Sequence, residues 1–282
     1  MVRLITNTVT IRDVAEAAGV SISLVSFVLN AKRGPNGEYL CSASKETAER
    51  IVDAAKRLGY KKNMAASSLR SGFSNTLGIV VADISNSFFG EFCRHIENIS
   101  AQAGYLSIFG SSDDNPEKMC QLLNRFIATG VDGLIVAPCA HTGKLLSDIV
   151  RNSVPVVIFD RDLENLAGVG KVMMDNEYAG RQATRHLIEN GHKKIEMIRY
   201  QSDIPTILQR FTGYRNEMEE NGLACYVKDN IISKPTIGID MVDVIKNSYD
   251  RGVDALIFPS NVLTVKGLTA INSLGYKIPD DF

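Results

Sequence analysis

The chain of 282 residues contains no apolar run of the eighteen or so residues that a membrane-spanning helix needs. Its first ten residues, MVRLITNTVT, lack the apolar stretch of a signal peptide, so we expect a cytoplasmic protein with no membrane partner. The five cysteines are odd in number, widely separated and never in a Cys-x-x-Cys pair. They exclude a disulfide scaffold and make a zinc site improbable. The four histidines show no metal-ligand spacing either, and we predict no metal and no other cofactor.

The common motifs of α/β enzymes are also absent at suitable places. We find no Gly-x-Gly-x-x-Gly, no Walker loop and no nucleophile elbow. The paired acids Asp113 and Asp114 precede Asn115-Pro116, which is typical of a loop that caps a helix. We therefore predict that the protein is not an enzyme.

Charge is distributed unevenly along the chain. Residues 1–72 carry a formal charge of +5, whereas the remaining residues carry −6. A small basic region on an acidic body is typical of a nucleic-acid-binding module attached to another domain. A chance excess of lysine on a solvated surface is the alternative interpretation.

Residues 10–30, TIRDVAEAAGVSISLVSFVLN, fit two short helices that cross at a sharp angle. The first helix has an apolar face at the i, i+3, i+4, i+7 spacing, formed by Ile11, Val14, Ala15 and Ala18. Gly19 follows where a helix usually ends through a left-handed residue, and Ser21 can cap the next helix. This spacing is that of a helix-turn-helix.

The second helix divides its side chains between two faces. Inward positions are Leu24, Val25, Val28 and Leu29, and outward positions are Ile22, Ser23, Ser26, Phe27 and Asn30. In a helix-turn-helix the outward face enters the DNA major groove. A generic alanine-rich helical hairpin is the alternative. A third helix, which begins after Ser44 and ends at Gly59, would complete a minimal core.

The next segment, YKKNMAASSLRSG at 60–72, has about nine residues with some helix preference, too few for a stable isolated helix. Its polar side holds Asn63, Ser67 and Arg70, whereas Leu69 has no local core to enter. We predict a linker that becomes ordered on DNA, with Leu69 wedged between bases and Arg70 in the minor groove. A plain interdomain linker is an equally good interpretation of these residues alone.

From Leu77 onward, short β-rich runs alternate with amphipathic helices. The predicted strands are 77–82, 105–110, 133–138, 154–159, 171–175, 194–200 and 255–259. The predicted helices are 88–103, 116–129, 142–152, 176–190, 206–221, 239–249 and 263–274. This alternation gives parallel sheets covered on both faces. We predict the α/β class, with an all-α DNA-binding domain (1–59), a hinge or linker (60–75) and two doubly wound subdomains (76–175 and 176–282) separated by a cleft.

Ligands of open α/β sheets bind beyond the carboxyl ends of the strands. The polar or aromatic residues that follow strands are Asp83, Ser85, Asn86, Phe88, Phe89, Asp160, Arg161, Asp175, Asn176, Ser260 and Asn261. Carboxylates, amides and a guanidinium can bind hydroxyl groups, and a ring can stack on a sugar or a base. This mixture favours a small polar ligand, although polar residues follow strands in proteins of every function.

The helix-turn-helix, the segment GY-x-x-N-x-x-A-x-x-L from Gly59 to Leu69 and several core segments resemble the LacI/GalR family of bacterial transcription repressors. The resemblance covers essentially the whole chain. It implies a dimer on a double-stranded DNA operator, with a hinge helix whose leucine, here Leu69, opens the minor groove. The residues that it and the helix pattern assign to DNA are Thr10, Ser21, Ile22, Ser23, Ser26, Phe27, Asn30, Asn63, Leu69 and Arg70.

The core segments ISNSFFGE (84–91), FDR (159–161), DN (175–176) and R-x-x-GY (210–214) resemble the effector site of this family, whose core is similar to periplasmic binding proteins. The effector-binding residues that follow are Asp83, Asn86, Phe88, Asp160, Arg161, Asp175, Arg210 and Asn261. A sugar or related polyol is the expected effector, with a nucleoside second. A solute-binding protein of transport is a weaker alternative, since the N-terminal region is basic.

The sequence departs from the family pattern at several positions. Phe27 stands where arginine is common, so it can offer only apolar contact to a base. Lys62 and Ser87 each replace a common proline, and Ser260-Asn261 replaces Asn-Asp. The sequence stops at GYKIPDDF, where the family continues into further elements. We therefore expect an incomplete second subdomain, and a regulator that binds DNA without an effector response is an alternative.

Overall fold

A computed structural model describes residues 9–31, 41–61, 72–163, 165–201, 205–233 and 237–282. The chain divides into two compact units, Met1–Ser74 and Asn75–Phe282, which we call the head and the core. The predictions made for Asn63, Leu69 and Arg70 fall outside the described residues.

The described part of the head contains three helices, which are α1 (Ile11–Ala18), α2 (Ile22–Asn30) and α3 (Lys45–Leu58). Ser44 caps α3, whose C-cap is Gly59. Gly19 ends α1 in the left-handed conformation, with φ of 61°. A side chain with a Cβ is disfavoured there, so glycine allows the sharp turn into α2. Across this turn α1 and α2 bend by 104°.

The three helices of the head bury one small core. Its fully buried members come from all three helices and include Val14, Val25, Val28 and Ile51. Alanines at 15, 18, 48, 54 and 55 let the helices approach closely. Among the described residues no single helix is long and apolar enough to cross a membrane, and α1 with α2 pass that test only as a bent pair.

The first half of the core is a parallel sheet with helices between its strands. Its strands are β1 (Thr76–Val81), β2 (Leu106–Ser111), β3 (Gly133–Val136), β4 (Val156–Phe159) and β5 (Gly170–Val172), in the order β2-β1-β3-β4-β5. The helices are α4 (Ser87–Gln102), α5 (Pro116–Ala128) and α6 (Gly143–Arg151). The interior strand β1 is buried from Gly78 to Val81, as expected for a parallel sheet covered on both faces. The predicted strand at 171–175 is shorter, because Asp175 instead caps the next helix.

The second half of the core has a smaller parallel sheet in the order β7-β6-β8. Its strands are β6 (Ile195–Tyr200), β7 (Asp229–Ile232) and β8 (Ala255–Ile257), and its helices are α7 (Asn176–Glu189), α8 (Pro205–Glu220), α9 (Ile237–Asp250) and α10 (Asn261–Ser273). The sequence pattern does not predict β7. Its residues are polar at Asp229 and Asn230, and its strand identity comes from pairing with β6.

Helices α7 and α8 cross at two glycines. A Cβ on Gly180 would lie 2.0 Å from the carbonyl oxygen of Arg210, and a Cβ on Gly213 would lie 2.0 Å from that of Glu177. Only glycine permits this approach of two backbones. This close contact fixes the position of Arg210 relative to α7.

Candidate functional site

The outer face of α2 is exposed and carries two large apolar side chains. Phe27 is 50% exposed and Ile22 is 42% exposed, whereas Val25 and Val28 are buried in the head. Ser23 lies exposed between them. The division of α2 into two faces is therefore the one predicted from the sequence, and the outer face is free to enter a groove.

Polar side chains around α2 bond to the backbone close to them in sequence. The Ser21 hydroxyl accepts a hydrogen bond from the Leu24 N–H at 3.2 Å. The Asn30 amide donates to the Ser26 carbonyl at 2.6 Å and to the Ser26 hydroxyl at 3.2 Å. At the start of α1, Thr10 and Asp13 form a reciprocal capping box. These predicted DNA-contacting residues also shape the helices that carry them.

A cavity of about 330 Å³ lies between the two halves of the core. Its lining comes from both halves and consists of Asn86, Ser87, Phe88, Phe89, Glu91, Asp160, Arg161, Tyr200, Thr206, Ile207, Arg210, Ser260 and Asn261. We call it the cleft. Six of the eight predicted effector-binding residues line it, namely Asn86, Phe88, Asp160, Arg161, Arg210 and Asn261.

The other two predicted ligand residues lie outside the lining. Asp83 accepts hydrogen bonds from the N–H and the hydroxyl of Ser85, at 2.9 and 2.6 Å. Asp175 caps α7 by accepting from the Tyr178 N–H at 2.9 Å. Both carboxylates organise the backbone next to the cleft, and a direct contact of either with a ligand stays a prediction.

A cluster of charges from the first half forms one wall of the cleft. Arg161 is only 9% exposed. It pairs with Asp114 and lies 3.4 Å from the Asp160 carboxylate. Its guanidinium also lies over the Phe89 ring, 5.9 Å from the ring centre. Arg161 is therefore held by several partners at once, and a buried charge needs such partners.

Asp160 stands at the end of β4 with a left-handed backbone, φ of 64°. Burial raises the pKa of its carboxyl, and the charges of Arg161 and Arg210 oppose that rise. Among residues with a side chain, Asn and Asp adopt this conformation more readily than most. The backbone turn places a carboxylate in the lining of the cleft, where it can accept hydrogen bonds from a ligand.

Arg210 provides a cation from the second half. Its Nε donates to Asn176 Oδ1 at 2.9 Å, and its Nη1 donates to the Pro259 carbonyl at 2.5 Å. Burial lowers the pKa of this guanidinium. The close contact of Gly180 with the Arg210 carbonyl positions its backbone. The guanidinium is thus held at two of its nitrogens on the wall opposite Asp160.

Three hydrogen bonds cross the cleft. The Asn261 amide donates to Asn86 Oδ1 at 2.7 Å and to the Ser87 hydroxyl at 3.1 Å. The Thr206 hydroxyl donates to the Asp160 carbonyl at 3.3 Å. These contacts join the two halves at the positions where a ligand would enter. A ligand that replaces or adds to them would change how the halves are held together.

Several lining residues were not among the predicted ligand residues. Tyr200 ends β6, so the rule that ligands bind beyond strand ends could have found it. Glu91 lies one helical turn from Ser87, so helical spacing could have placed it on the same face. No sequence signal distinguishes Thr206 or Ile207, because helix packing alone brings them there. Phe89 and Ser260 had been noted only as residues that follow strands.

The described residues contain no group of three or more His, Cys, Asp or Glu side chains that could hold a metal ion. The cleft therefore offers hydrogen-bonding groups, charges and one exposed ring, Phe88. Together with the exposed helix face of the head, this arrangement defines a class of protein: a regulator with a helix-turn-helix head and a ligand-binding α/β core.

Comparison with known proteins identifies the family. Residues 10–63 match the bacterial regulatory proteins of the lacI family. Residues 74–274 match the periplasmic binding proteins and sugar binding domain of the LacI family. The chain belongs to the LacI family of transcription regulators, and it is a DNA-binding regulator with an effector-binding domain.

Individual relatives agree with this assignment. The chain is 32% identical over 249 residues to catabolite control protein A of Priestia megaterium, covering 88% of this chain and 69% of the relative. It is 30% identical over 275 residues to the ribose operon repressor of Halalkalibacterium halodurans, covering 96% and 78%. The lac repressor dimer bound to operator and the anti-inducer ONPF has the same fold, with a TM-score of 0.80 at 19% identity, over 98% of this chain and 81% of that one.

The family assignment confirms four of the predictions made from the sequence. The resemblance to the LacI/GalR family and the two-part fold are both confirmed. Members of the family are transcription regulators and not enzymes, so the prediction about catalysis is confirmed as well. A bacterial transcription regulator works in the cytoplasm, as predicted.

Proposed function

We propose that the protein binds a pseudopalindromic operator as a homodimer, and that a small polar effector in the cleft changes its affinity for that operator. Repression is the expected outcome of operator binding. The observation that carries the proposal is the cleft itself, where charged, amide and aromatic side chains from both halves surround one cavity and three hydrogen bonds join the halves.

The head supports the DNA-binding part of the proposal. The face of α2 presents Ile22, Ser23 and Phe27 to solvent while the opposite face is buried. Apolar contact between Phe27 and a thymine methyl group would read sequence without a bidentate hydrogen bond. A helix-turn-helix of this kind reads one half-site, so a dimer reads two half-sites related by symmetry.

The first sheet of the core supports the dimer. Its edge strand β2 carries Leu106, which is exposed, and Phe109, which is partly exposed. Ile99 on the neighbouring helix α4 is exposed as well. Several exposed apolar side chains at one edge of a sheet are typical of a surface that binds another protein. We assign this surface to the second copy of the chain.

The lining of the cleft supports a sugar or related polyol as effector, with a nucleoside second. Asp160 and Arg161 offer a carboxylate and a guanidinium to vicinal hydroxyl groups. Phe88 offers an exposed ring to a sugar face or to a base. A relative in this family is named as the repressor of a ribose operon, which agrees with this chemistry.

The proposal can be tested with the purified full chain. Binding-site selection from random duplexes should yield a symmetric sequence, and sedimentation should show a dimer. A thermal-shift screen of sugars, polyols and nucleosides should then give one effector that changes operator affinity by about 5 to 150-fold. Failure to select any duplex with salt-dependent affinity would overturn the DNA-binding part.

A matched pair of variants tests the cleft. Asp160→Asn removes a charge that lines the cleft, whereas Asp162→Asn removes the charge of a nearby exposed residue that pairs with Lys171. We expect the first variant to lose the effector response and the second to keep it. An effector response that survives Asp160→Asn unchanged would contradict the assigned site.

A further inference from the structure

A second cavity lies at the opposite edge of the smaller sheet from the cleft. It measures about 300 Å³ and is lined by Lys194, Glu196, Cys225, Tyr226, Val227, Lys228, Arg251 and Val253. These residues precede or begin the three strands β6, β7 and β8, so they surround the amino ends of the sheet. We call this cavity the basal pocket. None of the residues that line the cleft belongs to it.

Three of the lining side chains are cations. Within the described part of the chain, neither Lys194 nor Lys228 forms an ion pair. The Lys194 ammonium group lies beside the backbone of Gly252, since a Cβ built there would be 3.4 Å from Nζ. That position is next to Arg251 in the chain. Lys194 therefore lies close to Arg251, and the exposed Lys228 belongs to the same lining.

Arg251 is held by a buried carboxylate. Glu196 is 4% exposed, and its Oε1 and Oε2 each accept from Arg251 Nη2 at 2.8 Å. Its Oε2 also accepts from Asn230 at 2.8 Å and from Ser248 at 2.7 Å. The carboxylate is thus saturated with donors and its charge is balanced by Arg251. The two lysines remain as the uncompensated charge of the basal pocket, about +2.

The backbone around Lys194 is fixed at two points. Tyr214 is fully buried, and its Oη donates to the Ile195 carbonyl at 2.8 Å, next to Lys194. Lys194 is further held because its carbonyl accepts from the Asp254 N–H at 3.1 Å. Such positioning lowers the entropy lost when a ligand orders the site.

We propose that the basal pocket binds a small anion that carries a phosphate group on a carbon body of sugar size. Two lysines supply donors to the phosphate oxygens, and charge-assisted hydrogen bonds of this kind are stronger than neutral ones. Tyr226 and the two valines provide an apolar wall for the carbon body. This site is separate from the cleft and does not depend on the effector proposed for it.

The test measures binding to the full chain at constant ionic strength by calorimetry, with inorganic phosphate and then a hexose 6-phosphate as probes. We expect saturable binding that is weakened about tenfold or more in Lys194→Gln/Lys228→Gln, because the variant loses two charge-assisted hydrogen bonds to the phosphate. Lys193→Gln, which changes an adjacent exposed lysine outside the lining, should bind as the unmodified chain does. Lys194→Arg/Lys228→Arg should retain most of the binding.

Cys225 gives an independent readout, since it is exposed in the lining of the basal pocket. A bound hexose 6-phosphate should slow its alkylation by neutral iodoacetamide, and the double glutamine variant should lose this protection. The proposal would be overturned if no probe bound saturably, or if the double glutamine variant bound the probe as tightly as the unmodified chain. It would also be overturned if Lys193→Gln weakened binding as much as the double variant does. If Arg210→Gln abolished binding while the double variant did not, the anion would occupy the cleft and the proposal would fail.

Discussion

The head and the cleft present polar groups to their ligands in opposite ways. Around α2, Ser21 bonds to Leu24 and Asn30 to Ser26, so each partner is three or four residues away. In the cleft, Arg161 bonds to a residue 47 positions away and Asn261 to one 175 positions away. Side chains on a surface built from local contacts can be substituted without a change in its shape. In a cleft built from distant contacts, a substitution also changes the shape.

The largest effect that this comparison predicts concerns the pair between Arg161 and Asp114. Asp114→Asn should lower the free energy of unfolding by about 2 to 3 kcal/mol, because it removes a charge that balances a buried guanidinium. Asparagine tolerates the left-handed backbone at this position, φ of 55°. Urea denaturation of the full chain, followed by core-specific amide exchange, measures the loss.

The neighbouring residue provides the control. Asp113 has a similar backbone, with φ of 53°, and also pairs with a cation, Lys118, but both side chains are well exposed. Asp113→Asn should lower the free energy of unfolding much less than Asp114→Asn does, because exposed ion pairs contribute little. Equal losses in the two variants would show that burial does not distinguish the two pairs.

The second prediction concerns Phe27 on the head. Phe27→Ala should lower operator affinity about tenfold, or ~1.4 kcal/mol, because it removes an apolar contact with the groove. The free energy of unfolding should stay within about 0.5 kcal/mol, since the ring is half exposed. Fluorescence anisotropy with the selected duplex measures the affinity. Phe27→Leu keeps an apolar contact and should retain most of it, and a large loss of stability in Phe27→Ala would break the comparison.

The third prediction tests a local contact of the head. Ser21→Ala leaves the Leu24 N–H without its acceptor and should destabilise α2 by about 1 kcal/mol. Amide exchange within residues 22–30 should then be several-fold faster. Ser23→Ala changes an exposed serine on the same helix and should leave exchange unaltered. If both variants accelerated exchange equally, helix propensity and not capping would explain the effect.

The smallest effect on the free energy of unfolding is expected for Asp160→Asn, and this effect is a gain instead of a loss. Burial raises the pKa of its carboxyl above 3.8, so the folded chain favours the protonated form. This carboxyl group contributes its full stabilisation below pH 3.8. The stabilisation is lost as the pH rises through the raised pKa of the folded state. Asp160→Asn should therefore be slightly more stable than the unmodified chain at pH 7.

The pH dependence provides the check on this last prediction. Urea denaturation at pH 7 should show the gain from Asp160→Asn, and the gain should disappear near pH 3.5, where the aspartate is protonated in both states. Asp162→Asn should show no such gain, because Asp162 is exposed and pairs with Lys171. If Asp160→Asn were less stable than the unmodified chain at pH 7, the Asp160 carboxylate would stabilise the fold through its contacts with Arg161 and Arg210.

The sequence predicted most helices and strands to within a few residues, because each carries its own signals. Ser21, Ser44 and Gly59 stand at the predicted helix ends. The strand β7 was missed because Asp229 and Asn230 are atypical of a buried strand. Asn230 is tolerated there because it bonds to the buried Glu196 on β6, a partner 34 residues away.

Only part of the cleft could be predicted from the sequence, because the rest depends on contacts between distant residues. Residues directly after strands, such as Asn86, Asp160 and Arg161, follow from topology, since parallel strands end on one side of the sheet. Thr206 and Ile207 reach the cleft because α8 packs against α7 through Gly180 and Gly213. The spacing of those glycines in the sequence does not reveal which backbone they contact.

The sequence by itself determined the helix-turn-helix, with its caps, its turn glycine and the two faces of α2. Each of these depends on residues within about four positions, where the chain has few conformations to choose from. The tertiary structure decided which side chains meet in the cleft, how Arg161 is neutralised and that Lys194 and Lys228 line the basal pocket. These groups come from residues tens of positions apart, and only the packing of helices and sheets brings them into one lining or contact.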